Sequence, residues 1–178
     1  MAYIKQISVK STPKKMLQYI LNVDKTKNEL TSGINTLPTV EYANNFFKTL
    51  FNQYYDNRYG NVDWDYTNTL DKSKKYAIKL HHFIQSFEAE TITPELAHKI
   101  GEEWTKKCFG EKAVVVIATH IDKGHIHNHF SVSGYNLDGT KVYSNKSLMK
   151  STEKLVMIYA ERIILIYLLL RNLLKIRD

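Results

Sequence analysis

The stretch VVVIATHIDKGHIHNHFSVSG, residues 114–134, decides how this chain folds. Two runs rich in β-branched and apolar residues, KAVVVIATH and HNHFSVSGYN, flank a polar connection around Gly124 and read as two strands. Four of the seven histidines of the chain, His120, His125, His127 and His129, fall in this short span. Side chains alternate along a strand, so His125, His127 and His129 project from one face if the second strand begins that early. His120, at the end of the neighbouring strand, turns toward them. Imidazoles converging in this way form a compact three-nitrogen site with coordination positions left open for substrate. Three neutral ligands leave the positive charge of an ion uncompensated, which suits a site that holds a phosphate. A structural zinc centre usually recruits cysteine, and Cys108 is the single one here.

The rest of the sequence builds an α+β domain around this pair of strands. YIKQISVK (3–10) alternates as a strand, and STPKKMLQYILN carries a Ser or Thr cap with Pro13 at a first helical position. Residues 24–38 are polar, with Gly33 and Pro38, and read as a loop. Tyr42, Phe46 and Leu50 recur at helical spacing, and an irregular connection bearing Trp64 and Tyr66 follows. The two aromatics either pack onto the domain or stack on bases, and packing is the commoner use of loop aromatics. KYAIKLHHFIQSFE reads as a strand, and TPELAHKIGEEWTKKCFG as a helix capped by Thr93 and closed by Gly110. The expected architecture is an antiparallel β-sheet covered by helices on one face.

Composition narrows the class of partner. A chain of 178 residues with 43% apolar content is long enough for one domain with a core, and its net charge of +7 favours a polyanion. Lysines that neutralise phosphates release counterions, which places nucleic acid ahead of an anionic membrane surface. The sole cysteine and an N-terminus without an apolar core point to a cytoplasmic protein. The leucine-rich tail contains an uninterrupted apolar run only from Ile163 to Leu170. A membrane span needs roughly 20 such residues, so none is expected.

HIDKGHIHNH, HHFIQSFE and LQYILNVDKT, read in reverse chain order, resemble the third, second and first motifs of the MobP-type relaxases, mobilization nucleases of the HUH endonuclease superfamily. The resemblance covers residues 17–130 and implies a relaxase-type single domain. Position by position, it makes Tyr19 the nucleophile, makes His120, His127 and His129 the metal ligands, and puts Ser86 where the family contacts DNA near the nick. Asn128 stands between the paired histidines, where the family name implies a hydrophobic residue; Ile126, between His125 and His127, would satisfy the name literally. The later pair leads directly into the strand and is the preferred register, with His125 as the alternative ligand. Asp122 reads either as the group that orients His120 or relays a proton, or as a turn residue. His82 shares a face with Ser86 by alternation and either touches DNA or lines the sheet; Lys14 and Lys15 near Tyr19 either track the phosphate backbone or form a solvated basic face.

The activity implied is that of a relaxase. The tyrosine nicks one strand at a transfer origin with the help of Mg2+ or Mn2+, forms a 5′-phosphotyrosine, and rejoins the strand after conjugative transfer. The implied partners are hairpin-flanked single-stranded DNA, an accessory relaxosome protein and a coupling protein. Residues 1–145 form the nuclease domain in this reading, and 146–178 a helical, leucine-rich extension that packs on it or on a partner. Three other readings remain open: a non-catalytic, metal-stabilised DNA-binding remnant, a metal-dependent phosphohydrolase that uses activated water in place of tyrosine, and a rolling-circle replication initiator that uses Tyr159 on the C-terminal helix.

Overall fold

The two strands read from the histidine-rich stretch form the middle of a five-stranded sheet. The computed structural model describes residues 2–10, 12–56, 64, 77–88 and 92–143, together with 158, 161, 162, 165, 166 and 169. Strands β1 (Ala2–Val9), β2 (Thr31–Ile34), β3 (Leu80–Phe87), β4 (Val115–His120) and β5 (His127–Ser133) lie in the order β1-β3-β5-β4-β2. Every neighbouring pair is antiparallel. Strand β5 is central and wholly buried, so its backbone has hydrogen-bonding partners on both sides and no freedom to slip.

Helices cover both faces of the sheet, where one face was expected. Helices α1 (Pro13–Ile20) and α2 (Val40–Phe51) bury Leu17, Ile20, Phe47 and Leu50 against Leu80, Val116 and Ala118. On the opposite face α3 (Pro94–Phe109) seats Ile100 and Trp104 against Phe83, Ile117, Phe130 and Val132. Each fully buried side chain of this size contributes roughly 1.5–3 kcal/mol. The central strands carry apolar residues on alternate positions of both faces, and each set requires a cover.

The helix boundaries follow local chemistry. The Thr93 side chain accepts a hydrogen bond from the Leu96 N–H at 3.3 Å, Pro94 follows it, and Gly110 ends α3 with φ of 74°. Residues 24–38 depart from the loop reading. They contain a 3-10 turn at Asn28–Leu30 and the edge strand β2, which is specified by its pairing with Val115–Ala118 and not by its own composition. Asn35 turns the chain out of this strand at φ of 55° and donates from Nδ2 to the carbonyls of Glu111 and Ala113. Trp64 is 1% exposed and donates from Nε1 to Asn44 Oδ1 at 2.9 Å, so it packs and does not present a stacking surface. Tyr66 lies outside the described residues, as does most of 146–178; the described positions from 158 to 169 are helical. No helix among the described residues is long and apolar enough to cross a membrane.

Asn128 ties β5 to α3. Its Nδ2 donates to Gln85 Oε1 at 2.9 Å and to the Ala97 carbonyl at 2.6 Å, while its Oδ1 accepts from the Thr119 hydroxyl at 2.7 Å. Gly101 makes room for it, because a Cβ there would meet Asn128 Nδ2 at 2.6 Å. Asn128→Ala strands these buried partners and is expected to cost about 1–3 kcal/mol of stability. Urea denaturation measures the loss, and an unchanged midpoint would mean that α3 docks without this network.

Candidate active site

The register of β4 and β5 brings the histidines together. His120 ends β4 and pairs directly with His127, the first residue of β5, while His129 pairs with Ala118 on the same face. The small Ala118 leaves space for the imidazoles. Ring centroids are 4.1 Å apart for His120 and His129, 5.2 Å for His120 and His127, and 5.0 Å for His127 and His129. One nitrogen from each ring lies within 4.8 Å of the other two, and all three residues are buried. His125 is exposed at the turn, its ring 5.3 Å from that of His127, and stands outside this cluster.

Hydrogen bonds fix which nitrogens face inward. His120 Nε2 lies 2.8 Å from the Ile20 carbonyl, which only accepts, so Nε2 carries the proton and Nδ1 the lone pair. His127 Nδ1 donates to the His125 carbonyl at 3.2 Å, leaving Nε2 as its lone-pair nitrogen. His129 Nδ1 lies 2.8 Å from His82 Nε2; donation from His129 leaves its own Nε2 with the lone pair. His120 Nδ1 and His129 Nε2 are buried with no hydrogen-bond partner among the described residues. Orphaned buried acceptors are costly, and a divalent cation would satisfy both. The donor set fits such an ion: three neutral imidazoles, each with its second nitrogen tied to a neighbour.

Electrostatics keep these rings neutral, the form that ligates. Burial is the main cause for His120, His127 and His129, each of which is held below the usual histidine range. His129 is the most depressed, with His120, His82 and His127 adding to the effect of burial. His82 is lowered from 6.5 to about 4, first by burial and then by His120.

Tyr19 meets the cluster from α1. The buried Ile20 and Leu17 anchor that helix and leave Tyr19, 39% exposed, between solvent and the histidines. Its ring lies 5.6 Å from His120 and edge-on to His129 at 5.4 Å. The bond from His120 to the Ile20 carbonyl fastens the next residue of the helix to the cluster. Lys25, on the turn after α1, places Nζ 4.4 Å above the Tyr19 ring and pairs with Asp122 at 3.5 Å. Burial opposes ionisation of Asp122, but Lys25 and then His120 outweigh it and hold the carboxyl below its usual range.

The other expected residues are placed unevenly. Ser86 is half-buried on β3, directly across the ladder from His127. Of the two roles read for His82, DNA contact or lining of the sheet, its burial favours the second: it is 2% exposed and sits behind His129, where it orients the ring. Lys14 is paired with Glu41 at 2.8 Å, and Lys15 is exposed on the same helix; both border a groove with Thr12 and Gln18. Asp122 stands at the rim and pairs with Lys25, while His120 bonds to Ile20 instead. Tyr159 lies outside the described residues. Lys25 lies within LQYILNVDKT but was not singled out there, because its approach to Tyr19 depends on how the turn folds back, and the Ile20 carbonyl is a backbone oxygen that no sequence pattern marks.

With this geometry in view, the comparisons with known proteins are decisive. The family described as relaxase, MobA/VirD2-like, nuclease domain, matches residues 19–162. The chain belongs to this relaxase family. It is 34% identical over 151 residues to the group II intron-interrupted relaxase LtrB of Lactococcus lactis subsp. cremoris, covering 78% of this chain and 26% of that protein. It is 32% identical over 127 residues to the protein rlx of Staphylococcus aureus, covering 71% of this chain and 33% of that protein. The relaxase domain therefore spans about a quarter to a third of the length of these relatives. The family match begins at Tyr19 itself.

The depressed His82 sets a pH window for the metal-free relaxase domain. Because its folded value of about 4 lies below its ordinary 6.5, the unfolded chain takes up the proton first as pH falls. Stability is full above pH 6.5 and declines toward pH 4, by up to about 1.4 kcal/mol per pH unit for one such group. Thermal melts across that range check the slope, which His82→Gln should reduce while the depressed His120, His127 and His129 keep the remainder. His82→Ala should also weaken Mn2+ binding about 10–100-fold, measured by calorimetry, by freeing the His129 ring.

Proposed function

We propose that this domain nicks single-stranded DNA at a transfer origin by tyrosine transesterification and reseals it after transfer. The observation that carries the reading is the Tyr19 ring lying 5.4–5.6 Å from His120 and His129, two of three clustered, neutral histidines, whose Nδ1 and Nε2 respectively have no hydrogen-bond partner among the described residues. His120, His127 and His129 would hold a divalent cation, Mg2+ or Mn2+. When bound, the ion supplies Lewis acidity, drawing charge from a non-bridging oxygen of the scissile phosphate. The Tyr19 oxygen forms a bond to phosphorus while the bond to the 3′ oxygen breaks, and that oxygen leaves with a proton as a free 3′-hydroxyl. The phosphotyrosine keeps the energy of the broken ester, so the reverse attack by a 3′-hydroxyl reseals the strand without ATP.

The chain supplies positioning more than acid–base chemistry. Helix α1 presents the tyrosine, the Ile20 carbonyl fixes the His120 ring, and His82 fixes His129. Ser86, across from His127, borders the path a strand would take to the tyrosine, and Lys14 and Lys15 extend a basic face along α1. Recognition of a hairpin-flanked strand, an accessory relaxosome protein and a coupling protein belong to the same proposal.

Incubation with single-stranded oligonucleotides from a candidate origin, followed by denaturing electrophoresis, tests the reading. The wild-type chain should give a nick and a covalent adduct that chelation abolishes. Tyr19→Phe keeps the ring's packing and removes only the attacking oxygen, so it should abolish both products while DNA and metal binding persist. His129→Ala should reduce nicking by at least two orders of magnitude, and His125→Ala should leave it within a fewfold of wild type. Nicking by Tyr19→Phe at the wild-type rate would overturn the assignment of the nucleophile, and a harsher effect of His125→Ala would reverse the histidine register.

A further inference from the structure

The turn that follows α1 returns to the site through Lys25, a residue to which the transesterification mechanism as stated gives no part. Its backbone is fixed twice: the Lys25 N–H donates to the Asn22 carbonyl at 2.9 Å, and the Lys25 carbonyl accepts from Ile121 N–H at 2.8 Å. That second bond locks the turn to the residue directly after His120. The side chain is 24% exposed, little for a loop lysine, and lies with Nζ 4.4 Å above the Tyr19 ring. Asp122 Oδ2, 3.5 Å away, tethers the ammonium. Tyr19 is therefore bracketed, with His120 and His129 against the ring on one part of its surface and a cation over its face.

We propose that Lys25 is a catalytic residue of the nicking site, its ammonium held by Asp122 over Tyr19 so that it fixes the ring and meets the phosphoryl group the tyrosine attacks. The proposal rests on the transesterification reading. Three considerations support it. A cation over an aromatic face attracts the ring's π-electrons and so restricts a half-exposed ring to one orientation. Lys25 is a positive charge that the protein itself places against the nucleophile, with Nζ 4.4 Å from the centroid of the Tyr19 ring. As the phosphorus passes through five-coordination, negative charge grows on its non-bridging oxygens, and a preorganised donor beside them acts on the transition state more than on the bound strand. Asp122 complements this by keeping a long, flexible side chain from swinging into water before DNA arrives.

A lysine that merely tracked the DNA backbone would change affinity and not the rate at saturation. The test compares Lys25→Met, Lys25→Gln and Lys25→Arg with wild type in single-turnover adduct formation at saturating oligonucleotide. It also follows thermal midpoint, Mn2+ affinity and, in the metal-free protein, the ring-proton resonances of Tyr19. Lys25→Met and Lys25→Gln should slow adduct formation about 100-fold, with thermal midpoint and Mn2+ affinity near wild type and with shifted Tyr19 resonances. Lys25→Arg should recover most of the rate and return the resonances toward wild type, because it keeps the charge. Wild-type rates at saturation in Lys25→Met or Lys25→Gln would overturn the proposal, as would Lys25→Arg as slow as either. If the wild-type chain forms no adduct at all, the transesterification reading fails beneath it; if wild type forms the adduct and the variants match it, only the role of Lys25 falls.

Discussion

The site depends on one constraint, the antiparallel register that sets His120 opposite His127 and Ala118 opposite His129. A slip by one residue would turn every side chain of β5 to the other face of the sheet, replacing the imidazoles with Asn128 and Phe130. The register is defended from both sides. Toward α1, the inward rings are held by the Ile20 carbonyl and by His82. Toward α3, Asn128 is bonded to Ala97, Gln85 and Thr119, and Phe130 packs against Trp104 at 4.6 Å between ring centroids. The asparagine between the two histidines is thus a structural anchor on the opposite face, and its polarity does not touch the site.

The same register explains how a tyrosine a hundred residues away in sequence comes to lie against the histidine cluster. Helix α1 is short and amphipathic, and its buried Leu17 and Ile20 seat it on the sheet beside the histidines. Two backbone contacts then sew it to the end of β4: Ile20 to the His120 ring and Lys25 to Ile121. Tyr19 has little choice of position once these are made. Burial keeps the rings unprotonated, and the nitrogens of His120 and His129 that have no hydrogen-bond partner among the described residues are tolerated where a ligand ion can satisfy them. Strain of this kind, unsatisfied polar atoms in a buried cluster, is expected at functional sites and not in cores.

Much of this was legible in the residues. The alternation in β5 and the apolar runs of β4 marked the central hairpin, and Thr93, Pro94 and Gly110 marked both ends of α3. Placement of His120 beside His127 followed from two strands and a short connection. What local pattern could not carry was anything fixed by distant pairing. The edge strand TSGI forms because β4 offers it a partner, and the cover on the second face depends on how α3 folds back. For His82 both DNA contact and lining of the sheet fitted, because alternation gives the face but not the depth; the neighbouring helices bury it. The position of Lys25 was hidden for the same reason: the residue lies in LQYILNVDKT, but only the folded turn returns it to the end of β4.

The central claim is that Tyr19, held against His120 and His129, is the group that becomes joined to DNA. Mapping the covalent product tests it directly. After reaction with an origin oligonucleotide, nuclease trimming and digestion at lysine and arginine, mass spectrometry should find the nucleotide mass on MLQYILNVDK, residues 16–25, attached at the tyrosine. The same mass on LVMIYAER, residues 155–162, would assign the chemistry to Tyr159 and contradict the account.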